Sequence, residues 1–264
     1  MRRLKRTTSW KRLIPDTRHK AARLPSKRSM NMWPFSKKRT LGDIGVFQGL
    51  TDCHSHILPG VDDGVRTMEE SLEILDRYER LGVKAVWLTP HIMEDVPNKT
   101  GDLKARFDEL RKNYQGGMEL HLGAENMIDG LFEERLNAGD LLTMGENHDR
   151  LLVETSYFTP PYGLYEILEA VKSKGMFPIL AHPERYIYMS DSDYSRLKSM
   201  GVLFQLNLFS LAGLYGPHAA KVAADLLKKG FYDHAGTDIH AIKVLDRCLE
   251  APIEPKILEG FKAL

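Results

Sequence analysis

Imidazole and carboxylate side chains recur through this chain at the ends of short apolar runs. In order they are His54, His56, Asp63, His91, Glu125, Glu154, His182, Asp238 and His240. Burying one ionisable group at the end of a hydrophobic strand is costly unless it meets a partner. Parallel strands closed into a barrel solve this for the whole set, because their carboxyl ends share one mouth. The pattern predicts such a fold and, at its mouth, a multinuclear metal hydrolase.

The expected strands are "LTDCHSH" (50–56), "KAVWLTPH" (84–91), "MELHLGAE" (118–125), "RLLVETS" (150–156), "FPILAH" (177–182), "VLFQLNL" (202–208) and "FYDHAGTD" (231–238). Helical patterns alternate with them. The clearest spans 67–82, with Thr67 as N-cap, Glu70 completing a capping box, Gly82 ending it, and an apolar stripe of Leu72, Leu75 and Tyr78. "TGDLKARFDELRKNY", "PYGLYEILEAVKSKG", "DYSRLKSMG" and "GPHAAKVAADLLKKG" read the same way. Strand–helix alternation implies a parallel sheet. Seven strands suit an α/β fold of the distorted, TIM-barrel-like (β/α)7 kind. A doubly wound open sheet is the competing architecture, but it gathers ligands at one switch point. Here six of the seven strands carry a metal-type residue at or just past the end, which favours the barrel.

His54 and His56 form a His-x-His pair. Strand alternation would point both imidazoles to one face, with Cys53 and Ser55 on the other. Asp238 and His240 repeat the two-residue spacing in "TDIH". Each residue alone could be a hydrogen-bonded core group; nine together, each ending or following an apolar run, point to a cation cluster. Imidazole and oxygen donors without thiolate suit Mn²⁺, Fe²⁺ or Zn²⁺, with Mg²⁺ as a further candidate. Nine donors exceed what one ion takes, so two or three ions are expected. Paired ions activate water and align attacking and leaving oxygens, which is phosphoester chemistry.

Arg185, three residues after His182, is expected at the same mouth, where a guanidinium matches a phosphoryl group. The bland alternative is a surface pair with Glu184. Arg66 and Arg247 follow ligand motifs and are weaker candidates. His19 falls in the tail, His148 and His218 read as loop or helix-start residues, and His121 and His234 as strand residues. Neither Cys53 nor Cys248 is a phosphatase nucleophile: the position six residues on, where such an enzyme needs Arg, holds Pro59 or Glu254.

Near-neutral net charge conceals a division. Residues 1–38 carry 13 Lys/Arg against one acid, Asp16, leaving 24 basic and 35 acidic residues in 39–264. The tail lacks the apolar core of a secretory signal and has the composition of a disordered segment. Two accounts compete: an over-extended start, with Met30 or Met32 the true first residue, or a basic arm for an anionic partner. The acidic body, read as a single domain over 39–264, disfavours nucleic acid. No apolar run is long enough to span a membrane. Two unpaired, distant cysteines fit a reducing cytoplasm.

The motifs "DCHSHILPGVDDG", "TPH", "GAE", "VET", "AHPERY" and "GTDIH" together resemble the polymerase and histidinol phosphatase (PHP) superfamily. They are most similar to its bacterial capsule and exopolysaccharide tyrosine-protein phosphatases, over roughly 50–245. The resemblance implies a seven-stranded barrel with three ions, often manganese. By it, His54, His56, Glu125 and Asp238 hold one ion; Glu125, Glu154 and His182 a second; Asp63, His91 and His240 the third. Arg185 would bind the phosphoryl group, and His182 and His240 count with it as catalytic. The implied substrate is phosphotyrosine on a tyrosine autokinase that drives polysaccharide export. A histidinol-phosphate-type phosphatase and a kinase-docking scaffold are the alternatives. After "TDIH" the family often continues with an Arg-Pro segment, whereas this chain reads "AIKVLDRCLE", which leaves Arg247 without that support.

Overall fold

The computed structural model describes residues 39–253 and 257. The basic tail, with its alternative starts and His19, lies outside the described residues. Along the chain run β1 (Thr51–Ser55), α1 (Met68–Leu81), β2 (Ala85–Leu88), β3 (His91–Ile92), α2 (Thr100–Asn113), β4 (Glu119–Leu122), β5 (Glu125–Met127), α3 (Phe132–Ala138) and β6 (Arg150–Glu154). Then follow α4 (Leu164–Ser173), β7 (Phe177–Ala181), α5 (Asp191–Ser199), β8 (Leu203–Asn207), α6 (Leu208–Leu211), α7 (Gly216–Lys228), β9 (His234–Gly236) and α8 (Ile242–Leu249).

All seven expected strands are present, and two are broken in half. The 84–91 run splits into β2 and β3 around Pro90, which has no N–H to give a ladder. The 118–125 run splits into β4 and β5 at Gly123–Ala124. The halves then pair differently. One parallel sheet has the order β1-β2-β4, and the other runs β3-β5-β6-β7-β8-β9. A parallel bridge between Ser55 and Ile239 joins β1 to the end of the second sheet. The His56 N–H donates to Ile239 O at 2.9 Å, and the Asp238 N–H to His54 O at 2.7 Å. The result is the expected seven-position curl, distorted where strands two and three break.

Helix α1 begins and ends as its sequence predicts. Thr67 Oγ1 accepts the Glu70 N–H at 3.2 Å, and Gly82 takes the left-handed conformation that ends the helix. The reciprocal half of the capping box does not form; Glu70 Oε2 accepts from the Arg66 N–H instead, at 3.5 Å. The buried face is Ser71, Ile74, Leu75 and Tyr78, with Leu72 only partly covered. That spacing of three, four and seven is the helical repeat. Ser71 is tolerated on the apolar face because its hydroxyl donates to Ile57 O at 2.6 Å.

The pairing of β1 with β2 is irregular between Asp52 and Ser55, so strict alternation fails there. Asp52 is fully buried, accepting from Tyr78 Oη at 2.8 Å and from both the N–H and the hydroxyl of Thr237. Cys53 packs with Trp87 and Leu203 against Met144, Leu152, Ile179 and Ala181. No described helix is long and apolar enough to cross a membrane.

Candidate metal centre

The nine expected donors meet. His54 Nε2 lies 3.0 Å from Glu125 Oε2 and 3.5 Å from Asp238 Oδ1. His56 Nε2 lies 3.1 Å from Asp238 Oδ1 and 3.3 Å from Glu125 Oε2. His91 Nδ1 is 3.0 Å from Glu154 Oε1 and 3.3 Å from Glu125 Oε2, while its Nε2 is 3.6 Å from Asp63 Oδ1. His182 Nε2 is 2.9 Å from Glu125 Oε1 and 3.9 Å from Glu154 Oε2. His240 Nε2 is 3.5 Å from Asp63 Oδ1.

Among the described residues, three overlapping groups have ligand atoms close enough for one cation each: His54, His56, Glu125 and Asp238; His91, Glu125 and Glu154; and His56, Asp63, His91 and His240. The first is the set the resemblance implies. In the second, His91 stands where the resemblance puts His182, which sits beside it. In the third, His56 joins the implied Asp63, His91 and His240.

Hydrogen bonds around the cluster decide which imidazole nitrogens face inward. Gln205 Oε1 accepts the His182 backbone N–H at 3.2 Å, which orients its amide, and lies 2.9 Å from His54 Nδ1. The neutral His54 ring therefore carries its proton on Nδ1, which leaves the Nε2 lone pair facing the cluster. The carboxylate of Asp62 does the same for His56, with Oδ2 2.8 Å from Nδ1. The carbonyl of Asp238 does so for His240, 2.9 Å from Nδ1. Such outer partners set tautomer and ring orientation in metal sites.

The Nε2 atoms of His54 and His56 then face each other at 3.2 Å. Two lone pairs that close repel unless a positive charge lies between or beside them. Nδ1 of His91 and Nδ1 of His182 are buried without a hydrogen-bond partner. Glu125, Glu154 and Asp238 are buried as well. This donor set fits cations.

The electrostatics agree. Burial disfavours charge on His54, but Glu125 and Asp238 outweigh it and raise its pKa to about 9. Burial likewise opposes charge on His56, yet its bonds to Asp238 and Asp62 lift it well above its ordinary value. Burial pushes Glu125 up, and the neighbouring His54 and His91 bring it well below the carboxylate range. Burial and the charge of Glu125 raise Glu154. Burial and Arg185 both oppose charge on His182, whose pKa falls to about 4. The bond from His240 leads in lowering Asp63 to about 2.

His182 and Asp238 adopt positive φ, 32° and 54°. Such backbone costs on the order of 1–3 kcal/mol and clusters at functional sites. Gly236 allows the close approach of β9 to β1, since a Cβ there would lie 2.8 Å from the His54 backbone N.

Arg185 closes a short 3₁₀ turn that starts at Pro183. Its Nη1 donates to Asp238 Oδ2 at 2.7 Å. Tyr157 and Tyr215 stack on its guanidinium, with ring centroids 4.3 and 4.1 Å from Cζ. The alternative, a surface pair with Glu184, does not form. Glu184 is buried and accepts from the Asn207 N–H and the hydroxyls of Ser210 and Tyr232; burial pushes its pKa up to about 7. A cavity of about 370 Å³ opens above the cluster. Its lining combines the polar Asp63, His91, Glu125, Asp238, His240 and Arg185 with Tyr157, Leu214, Tyr215 and Val244. Arg66 and Arg247 are exposed and line none of it.

Asp62, Gln205, Tyr157 and Tyr215 were not singled out in the sequence. Gln205 could have been, as a polar residue inside the apolar run "VLFQLNL". Asp62 is the neighbour of the chosen Asp63, and nothing local separates them.

The family described as capsular polysaccharide synthesis, CpsB/CapC, matches residues 50–251. Tyrosine-protein phosphatase YwqE of Bacillus subtilis is 28% identical over 200 residues, covering 74% of this chain and 78% of its own length. Tyrosine-protein phosphatase CpsB of Streptococcus pneumoniae is 28% identical over 171 residues, covering 62% and 69%. A solved structure described with YwqE and CpsB as metal-dependent tyrosine phosphatases superposes with a TM-score of 0.70 at 26% identity, covering 81% of this chain and 86% of that one. With the family's pattern matching most of its length, this chain belongs to the CpsB/CapC family of capsular polysaccharide synthesis.

Proposed function

We propose that this protein is a metal-dependent protein-tyrosine phosphatase, with residues 39–264 as its catalytic domain. Its substrate on this reading is phosphotyrosine on a cytoplasmic tyrosine autokinase that controls polysaccharide export. The observation that carries the proposal is the inward-facing Nε2 pair of His54 and His56, 3.2 Å apart, set among three buried carboxylates with Arg185 alongside.

His54, His56, Glu125 and Asp238 would hold one ion, Glu125 and Glu154 with His91 or His182 a second, and Asp63, His91 and His240 a third. Manganese is the favoured ion; Fe²⁺, Zn²⁺ and Mg²⁺ suit the same donors. When bound, such ions activate water and neutralise phosphoryl oxygens. Arg185, with Tyr157 and Tyr215 against its guanidinium, keeps N–H groups beyond the one spent on Asp238 and offers them to the phosphoryl group. Leu214, Val244 and Tyr215 form the apolar wall for the substrate ring. Of the two histidines expected to be catalytic, His182 stays neutral and serves as a ligand. His240 lines the mouth; with its Nδ1 proton held by the Asp238 carbonyl and its Nε2 given to the third ion, proton delivery to the departing phenolate falls to water.

A scaffold that holds no ions would keep three buried carboxylates crowded together, with the charge of Glu125 opposing that of Glu154, which disfavours the docking-only alternative. The deciding experiment loads purified protein with single metals, measures bound metal by elemental analysis, and assays p-nitrophenyl phosphate, a phosphotyrosine peptide and histidinol phosphate. Turnover of the first two with Mn²⁺, lost in His182→Ala and Arg185→Ala, is expected. Preferred turnover of histidinol phosphate would instead select the small-molecule reading.

A further inference from the structure

Five large hydrophobic side chains are exposed among the described residues: Leu131 at 39%, Phe158 at 71%, Tyr162 fully, Phe177 at 49% and Ile187 at 57%. Phe177 begins β7, at the far end of that strand from the metal centre. The other four follow the carboxyl ends of β5, β6 and β7, the end at which the donors gather. An apolar group of this kind beside a polar mouth marks a surface made for contact.

The four are tied to the site and to each other. Tyr157 lies on Arg185, and the next residue, Phe158, turns to solvent. The Ile187 N–H donates to Tyr157 O at 3.0 Å, bringing the loops after β6 and β7 together. Tyr162 shares a recess of about 410 Å³ with Ile167, Glu133 and Glu166, and Leu131 precedes Glu133 at the start of α3. The recess lining carries two carboxylates and no cation.

Resting on the phosphatase reading, we propose that Leu131, Phe158, Tyr162 and Ile187 dock the polypeptide on either side of the phosphotyrosine, selecting apolar side chains and, at Glu133 and Glu166, a Lys or Arg. The occupant is a substrate chain because Phe158 directly follows Tyr157, which lines the mouth, Ile187 is bonded to Tyr157 through the backbone, and the acidic recess complements a basic residue. The active centre then recognises the phosphoryl group and ring, while the rim recognises sequence.

The test compares kcat/KM of the Mn²⁺-loaded enzyme on three substrates: p-nitrophenyl phosphate, a phosphotyrosine peptide flanked by Leu, Phe and Lys, and one flanked by Gly and Ser. The wild type should prefer the apolar-basic peptide by about tenfold, the scale of one interface anchor. The double variant Phe158→Ser/Tyr162→Ser should erase that preference and leave p-nitrophenyl phosphate turnover within about twofold. Glu133→Lys/Glu166→Lys should lower turnover of the Lys-bearing peptide alone. Equal turnover of the peptides by the wild type, or a preference surviving in both variants, would overturn the docking surface while the phosphatase reading stands. No turnover of p-nitrophenyl phosphate by the wild type would remove both.

Discussion

Asp62 and His56 are joined by a carboxylate–imidazole contact of 2.8 Å, and the same Asp62 oxygen accepts the His91 backbone N–H at 3.1 Å. One side chain thus orients two candidate ligands from different strands. Removing such an outer partner typically costs 10–100-fold in metal affinity. Asp62→Ala is expected to weaken Mn²⁺ binding within about that range while the fold persists, as measured by calorimetric titration and circular dichroism. Unchanged affinity would mean that His56 is held by its other contacts.

Arg185 should act on the phosphoryl group and leave metal content alone. Arg185→Ala is expected to lower kcat/KM for p-nitrophenyl phosphate by about 10²–10³, the scale for one transition-state donor. Arg185→Lys should recover little, because an ammonium offers neither the planar fork nor the stacking that Tyr157 and Tyr215 provide. A Lys variant of wild-type activity would show that charge alone suffices.

Gly236 holds β9 against β1. A Cβ added there would lie 2.7 Å from His54 Cβ and 2.8 Å from its backbone N. Neither atom can move freely, since both belong to the strand that carries the histidine pair. Gly236→Ala is expected to cost about 1–3 kcal/mol, as overpacking does, seen as a lower urea midpoint with an unchanged slope.

Bound metal should stabilise the fold, because Glu125, Glu154 and Asp238 are buried and crowded. A ligand that binds only the native state adds about 2.7 kcal/mol at a hundredfold excess over Kd. Thermal melts should therefore shift upward with Mn²⁺ and downward with EDTA. His54→Ala/Asp238→Ala should shrink the difference by the contribution of the first ion; an undiminished shift would show that these two residues hold none.

The thiols should be inert. Burial pushes Cys248 and Cys53 up to about 12. A raised thiol pKa keeps the protonated, unreactive form dominant, so at pH 8 the thiolate population falls about a thousandfold below that of an exposed cysteine. Iodoacetamide at pH 8 is expected to leave activity intact, and alkylation should appear only as pH rises toward the pKa. Rapid inactivation at pH 8 would bring a cysteine nucleophile back into consideration.

Much of the site was legible because barrel strands end where function sits: a donor closing an apolar run, as in "TPH", "GAE" and "AHPER", carries its own address. The capped helix α1 was equally local, its Thr67 and Gly82 acting within a turn of themselves. Which apolar face that helix buries was not local, since Ser71 becomes a core residue only through the distant carbonyl of Ile57.

Sequence by itself singled out the candidate donors, the alternation of strands with helices and Arg185 as their neighbour, because residue type and period are properties of short segments. Tertiary structure alone decided that His91 as well as His182 flanks Glu125 and Glu154, that Asp62 rather than Asp63 orients His56, and that two tyrosines clamp Arg185. Each of these is a distance of a few ångströms between residues far apart in the chain or on one side of a tight turn. Only closure of the barrel, with β9 brought against β1 over Gly236, sets those distances.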